Sequence, residues 1–297
     1  MNNITLKAWN TETSIIDLIQ DVAQLLSQHN LYYGHGTDNP TDEAAALVFF
    51  ALGLDHFNPK KSYDLKVQSK DFEFVNELVT QRIKEKKPLA YITNESIFCG
   101  HKFFVDERVL IPRSPIAELI QNRFEPWIDQ SLITSVLDIA TGSGCLAISI
   151  AKQYPNAEIV ASDISKAALE VAEMNVDHLL VDDQVTLVES DLFENIKGTF
   201  DLIVSNPPYV SHESMVNLAP EYHHEPSLAL VAEKDGLDFI ERILHYASPF
   251  LKDHGILVIE MGEAAEAAES YFTLPLTWIE LENGGEGIAM IEAKHLK

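Results

Sequence analysis

"VLDIATGSGCLAISIA", residues 136–151, runs from an apolar strand-like stretch through a glycine-spaced turn into an apolar helix-like stretch. Gly142 and Gly144 allow a ligand to approach the backbone, and a helix starting there offers free N–H groups. Outward from this point the pattern alternates. Strand-like runs lie at 135–140, 157–163, 184–190, 200–206 and 255–262, with helix-like runs at 146–154, 166–180 and 236–251. Such alternation predicts a mostly parallel sheet with helices on both faces. Near the end, "TWIEL" (277–281), the turn "NGGEG" (283–287) and "IAMIEA" (288–293) predict an antiparallel hairpin at one edge of that sheet.

Upstream the period changes. Residues 14–29 place Ile15, Leu18, Ile19, Val22, Leu25 and Leu26 at helical spacing behind a serine cap. Further helices are expected over 40–54 and over 71–87, ended before Pro88, with a β-hairpin over 97–112 and a helix over 115–128. The chain therefore divides into a helical region 1–90, a hairpin linker 91–113 and an α/β region 114–297.

Composition narrows the function. The 297 residues are 46% hydrophobic and carry a net charge of −25. So acidic a protein repels phosphate backbones and attracts basic proteins. The charge is uneven: residues 1–100 hold 9 basic and 13 acidic side chains. Within them, 60–87 is basic, with eight Lys and Arg against five acids. That run reads first as a solvated helix face and second as a candidate contact for RNA. No apolar run reaches the roughly 18 residues of a membrane helix. The N-terminus has no secretory pattern, and two cysteines without a CxxC suit a reduced, cytoplasmic compartment. No metal-ligand spacing is present, so no metal is expected.

Acids stand where the strands end. Asp138 adds negative charge beside the glycine turn, which suits a cationic ligand such as S-adenosylmethionine better than a pyrophosphate. The dinucleotide fingerprint is also incomplete, with Ala147 in the third glycine place. Asp163 closes the second strand, where a carboxylate can accept ribose hydroxyls. Asp191 closes the third, within reach of an adenine amino group. The fourth strand runs into Asn206-Pro207-Pro208-Tyr209. Prolines end strand pairing and hold the preceding residue extended. The Asn206 side-chain oxygen and the Pro207 carbonyl are then two fixed acceptors for the hydrogens of a planar amino group. Tyr209 offers a ring to cover its flat face. Such acceptors favour a pyramidal nitrogen with a free lone pair, so the motif suits methyl transfer to planar nitrogen. No general base is needed, because a methylated, positively charged nitrogen loses its proton to water.

The glycine loop, strand-end acids and "NPPY" together resemble the HemK-type glutamine-N5 methyltransferases over nearly the whole chain. "YYGHGTDNPTDEA", "FCGHKFFVDERVLIPRSPIAELI", "EYHHEPSLAL" and "NGGEG" resemble the PrmB branch, whose substrate is large-subunit ribosomal protein three. The release-factor branch typically has "PRP(E/D)TE" where this chain reads Pro112-Arg113-Ser114-Pro115-Ile116. The resemblance implies a seven-stranded, Rossmann-like class I methyltransferase domain, a hairpin linker and a helical substrate-recognition domain. It implies cofactor contacts at Ala140, Thr141, Gly142, Ser143, Gly144, Asp163, Asp191 and Leu192. It implies a glutamine site at Asn206, Pro207, Pro208 and Tyr209, with Asn206 also beside the cofactor. Leu192 stands where relatives often carry Trp, so no aromatic adenine contact follows from that position.

Four other readings compete. A release-factor methyltransferase shares the motif. An N6-adenine methyltransferase would also use it, but must hold phosphates, which the charge opposes. A non-catalytic module binding a ribosomal protein would not need intact Asp163 and Asn206. A dinucleotide dehydrogenase is opposed by Ala147 and by "NPPY".

Overall fold

The computed structural model describes residues 9–282 and 284–296, and they form two compact units. The first takes in the described residues up to Glu95 together with Ala219–His224. It holds α1 (Ile15–Ser27), α2 (Pro40–Leu52), α3 (Ser69–Glu85) and α4 (Leu89–Thr93). Ser14 and Asp17 form a capping box that starts α1. Asn39 caps α2 ahead of Pro40, and Gly53, at φ 62°, ends it. Leu18, Val22, Leu47, Val48, Val75 and Val79 are fully buried between these helices. Each such side chain contributes roughly 1.5–3 kcal/mol relative to exposure.

Arg82 is also buried. Its Nε donates to Glu43 at 2.7 Å, one Nη to Glu221 at 3.0 Å and the other to the Tyr32 carbonyl at 2.8 Å. Arg82 is thereby withdrawn from the basic face of 60–87, while Lys60, Lys61, Lys66, Lys70 and Lys84 are exposed. Glu221 also accepts the Tyr32 N–H at 3.0 Å. A segment far along the sequence is thus part of the helical unit.

The second unit runs over Ser96–Leu218 and onward from Glu225. A short hairpin, β1 (Glu95–Phe98) and β2 (His101–Phe104), precedes α5 (Ile116–Gln121). The hairpin covers less than the expected 97–112. The helix expected to reach residue 128 stops at Gln121. Arg123 and Phe124 take positive φ, and Phe124 turns fully into the core ahead of Pro126.

Then follow β3 (Ser135–Ile139), α6 (Cys145–Gln153), β4 (Glu158–Asp163), α7 (Lys166–His178), β5 (Val185–Glu189) and β6 (Phe200–Ser205). After α8 (His212–Asn217) and α9 (Asp238–Tyr246) come β7 (Leu251–Glu260), α10 (Ala265–Tyr271), β8 (Thr277–Trp278) and β9 (Ile288–Glu292). The seven strands lie in the order β5-β4-β3-β6-β7-β9-β8. The first five are parallel; β9 pairs antiparallel with β7 and β8. This is the expected Rossmann-like class I methyltransferase sheet, with its antiparallel edge. Asn283 of the "NGGEG" turn lies outside the described residues.

Each central strand buries both faces, which is why it reads as a continuous apolar run. Val136, Leu202, Val204 and Val258 join one core; Leu137, Ile139, Ile203 and Leu257 join the other. From β3 the chain winds outward through β4 to β5, then returns to place β6 on the other side of β3. The C-terminal ends of β3 and β6 therefore meet at the topological switch point, where open α/β sheets bind ligands.

Candidate active site

A cleft enclosing about 1030 Å³ of space, partly open to solvent, lies at that switch point. Ala140, Thr141, Gly142, Ser143, Asp163, Asp191, Leu192, Asn206, Pro207 and Pro208 line it. The turn after β3 is wound by positive φ at Ala140 (60°), Gly142 (56°) and Gly144 (82°). A Cβ added at Gly142 meets no heavy atom within 4 Å, so this backbone is open to a ligand. At Gly144 it would come within 3.1 Å of Ile148, so that glycine serves close packing of the helix instead.

Asp163 grips the turn. Its Oδ2 accepts the Gly142 N–H at 2.9 Å and its Oδ1 the Ser165 N–H at 2.8 Å. Burial raises its pKa, and those amides oppose the rise. From α7, Asn175 accepts the Phe104 N–H at 2.7 Å and donates to the Ser143 carbonyl at 2.9 Å. The hairpin is thus tied to the glycine turn. Asp191 is half-buried and pairs with Arg242 at 2.8 Å.

Asp138 is placed differently from the sequence reading. Its side chain is fully buried and does not line the cleft. Its Oδ2 accepts from Thr141 Oγ1 at 2.6 Å and the Ala147 N–H at 3.2 Å, bracing the turn from behind. Its Oδ1 meets no hydrogen-bond partner among the described residues. Burial pushes its pKa up to about 7. The expected negative charge in the crevice is therefore a buried brace, because residue 138 faces into the sheet's covering layer rather than off its end.

At the end of β6, Ser205 Oγ donates to the Ile139 carbonyl at 2.9 Å, locking the two strand ends together. Asn206 follows, half-buried, its amide engaged by no described residue. Pro207 and Pro208 are buried. Tyr209 departs from the reading that its ring covers the substrate: it is not among the residues lining the cleft. Its hydroxyl donates to Glu260 at 2.9 Å, and its ring lies so close to Gly262 that a Cβ there would be 2.3 Å away.

Sequence comparison identifies the family. The chain is 40% identical over 285 residues to the ribosomal protein uL3 glutamine methyltransferase of Francisella tularensis subsp. tularensis (strain SCHU S4 / Schu 4), covering 95% of this chain and 91% of that protein. It is 43% identical over 281 residues to the protein of the same name from Neisseria meningitidis serogroup B (strain ATCC BAA-335 / MC58), covering 94% and 92%. The chain belongs to the ribosomal protein uL3 glutamine methyltransferase family. The family model described as methyltransferase small domain matches residues 122–225, which include the glycine turn and "NPPY". Among solved structures, the hMettl16 catalytic domain bound to MAT2A 3'UTR hairpin 6 aligns at a TM-score of 0.49 and 16% identity, over 75% of this chain and 80% of that one. Ribosomal protein L11 methylase from Lactobacillus delbrueckii subsp. bulgaricus aligns at 0.41 and 22%, over 63% and 83%.

In this member of the family the cleft has walls that sequence reasoning did not find. Phe239 of α9 lines it and gives the cleft an aromatic side chain. Arg113 also lines it and is held in place by a bidentate pair with buried Glu225, at 2.6 and 2.7 Å. Pro226, Leu228 and Ala229 complete that side. "PRSPI" and "HHEPSLA" were visible as resembling stretches, but their pairing across the cleft carried no periodic signal.

Proposed function

We propose that this chain transfers a methyl group from S-adenosylmethionine to the side-chain amide nitrogen of a glutamine in ribosomal protein uL3. The observation that carries the reading is Asn206: an amide at the switch-point cleft, unengaged by protein, beside two buried prolines. The cleft suits the cofactor by its open Gly142 backbone, the Asp163 carboxylate and the Phe239 ring. Ala140–Ser143, Asp163, Asp191 and Leu192 line the cleft and would hold it, with Asp138 supporting the turn from behind and Gly144 packing its helix. When bound, S-adenosylmethionine supplies a methyl group already activated by its sulfonium. The protein's share is position and charge. The Asn206 oxygen and Pro207 carbonyl accept the two hydrogens of the glutamine amide, freeing its lone pair. The proton is then lost to water.

Asp163→Ala should weaken cofactor binding by about 1–3 kcal/mol through lost charged hydrogen bonds. Calorimetric titration checks this, and equal affinity would contradict the ribose role. The helical unit is proposed to select the substrate, since "NPPY" reads only an amide. A basic ribosomal protein would be drawn to the acidic enzyme by charge. The exposed lysines of 60–87 are a candidate contact for RNA. Cys99 and Cys145 are free thiols, which suits a reducing compartment, and we propose that the reaction takes place in the cytoplasm. Mass spectrometry of uL3 from cells lacking the enzyme tests the reading. One glutamine should lose a methyl group's mass, and unchanged methylation would contradict it.

A further inference from the structure

Two stretches singled out in the sequence, "PRSPI" and "NGGEG", converge behind the acceptor motif. Buried Glu260, at the end of β7, accepts Ser114 Oγ at 2.5 Å on one oxygen and Tyr209 Oη at 2.9 Å on the other. Behind the Tyr209 ring lies Gly262, and behind Gly262 lies Gly287. A Cβ on Gly287 would stand 2.5 Å from the Gly262 carbonyl oxygen. The Tyr209 carbonyl is similarly close to Gly236, where an added Cβ would be 2.2 Å away. Tyr209 is therefore gripped at its hydroxyl, its ring and its backbone.

We propose that Glu260 is a positioning residue for methyl transfer: by holding the Tyr209 hydroxyl against Ser114 it fixes the rim on which Asn206 and Pro207 meet the acceptor amide. Asn206 and Pro207 precede Tyr209 in a proline-stiffened segment with few free torsions. A rotation at Tyr209 therefore moves both acceptors together. A displacement of about 1 Å at such groups can cost on the order of 100-fold in rate. Glu260 touches neither substrate nor cofactor in this account. Glu260 is buried, which raises its pKa, while Ser114, Tyr209 and nearby Arg113 oppose that rise.

The inference rests on the glutamine-methylation reading, so wild-type turnover on uL3 is measured first; its absence would fail that reading. With turnover in hand, Glu260→Ala and Tyr209→Phe are compared with Glu260→Gln. Glutamine keeps an acceptor for Tyr209 and a donor for Ser114, so Glu260→Gln should stay within about threefold of wild type. Glu260→Ala and Tyr209→Phe should each lower kcat roughly tenfold or more, with cofactor Kd changed less than about twofold. Their double variant should be no slower than Glu260→Ala alone, because both cut one link. If Glu260→Ala does not fold, Tyr209→Phe with Glu260→Gln still decides. Full kcat in Tyr209→Phe, or single effects that multiply in the double variant, would overturn the proposal.

Discussion

Asn206→Ala is expected to lower turnover by on the order of 10²–10³ while leaving cofactor affinity nearly unchanged. The argument is geometric. β6 is buried along its length and tied to β3 through Ser205, so Asn206 leaves the sheet from a fixed point. The prolines after it cannot extend pairing or fold back into a helix. The amide has no described partner to lose, so its removal should cost the fold little. What disappears is an acceptor needed most as the substrate nitrogen becomes pyramidal, and such preorganised groups act mainly on the transition state. Steady-state kinetics on uL3 with titration of the cofactor separates the two effects. Unchanged kcat would contradict the acceptor role.

The second large effect lies at the other end of the same strand, roughly 17 Å away at five strand residues. Asp201 is buried at the start of β6. Its Oδ2 accepts the Thr134 and Ser135 N–H groups at 3.0 and 2.9 Å, both of their hydroxyls, and Lys252 Nζ at 2.9 Å. Its Oδ1 lies 2.7 Å from His254 Nε2. Asp201→Ala leaves Lys252 and the Thr134 and Ser135 amides, at the entry to β3, without their acceptor, and should cost about 3–5 kcal/mol of stability. The urea midpoint should fall with an unchanged slope. Burial alone would raise the pKa of Asp201, but Lys252, Thr134 and Ser135 outweigh it and hold the carboxyl well below the usual range.

A depressed folded pKa gives stability that is complete above the unfolded value of about 3.9 and is lost as pH falls toward the folded one. The gap between wild type and Asp201→Ala should therefore be full at pH 7 and narrow below about pH 4. Asp138 acts with the opposite sign. Its pKa of about 7 means the folded chain keeps a proton that the unfolded chain has released. Its contribution falls as pH rises from about 4 to 7. Comparing the two proteins at each pH cancels Asp138 and isolates Asp201. A gap independent of pH down to about 3 would contradict this assignment.

The sheet and its helices were legible because period and burial leave local marks. β3, β4, β6 and β7 read as apolar runs, and the glycine turn sits against the first of them. Residues at strand ends, such as Asp163 and Asn206, were legible for the same reason: position in the chain gives position at the sheet edge. Contacts made across the fold left no such mark. Tyr209 and Glu260 lie 51 residues apart, and Phe239 enters the cleft from an ordinary amphipathic helix. Arg82 belonged to a basic run by composition but is buried between two carboxylates by packing. Asp138 ended a strand in the sequence, yet strand alternation turns it beneath the glycine loop. The assignment of 219–224 to the helical unit depends on Glu221 meeting Arg82, a pairing that neither hydrophobic period nor turn chemistry announces.

The most direct measurement offers the purified enzyme three acceptors at once: uL3, a release factor and duplex DNA, with methyl-labelled S-adenosylmethionine. The account predicts label on uL3, recovered after digestion as a glutamine methylated at its side-chain nitrogen, and lost in Asn206→Ala. Label recovered mainly in the release factor would contradict the uL3 assignment. Label in adenine would contradict glutamine methylation itself.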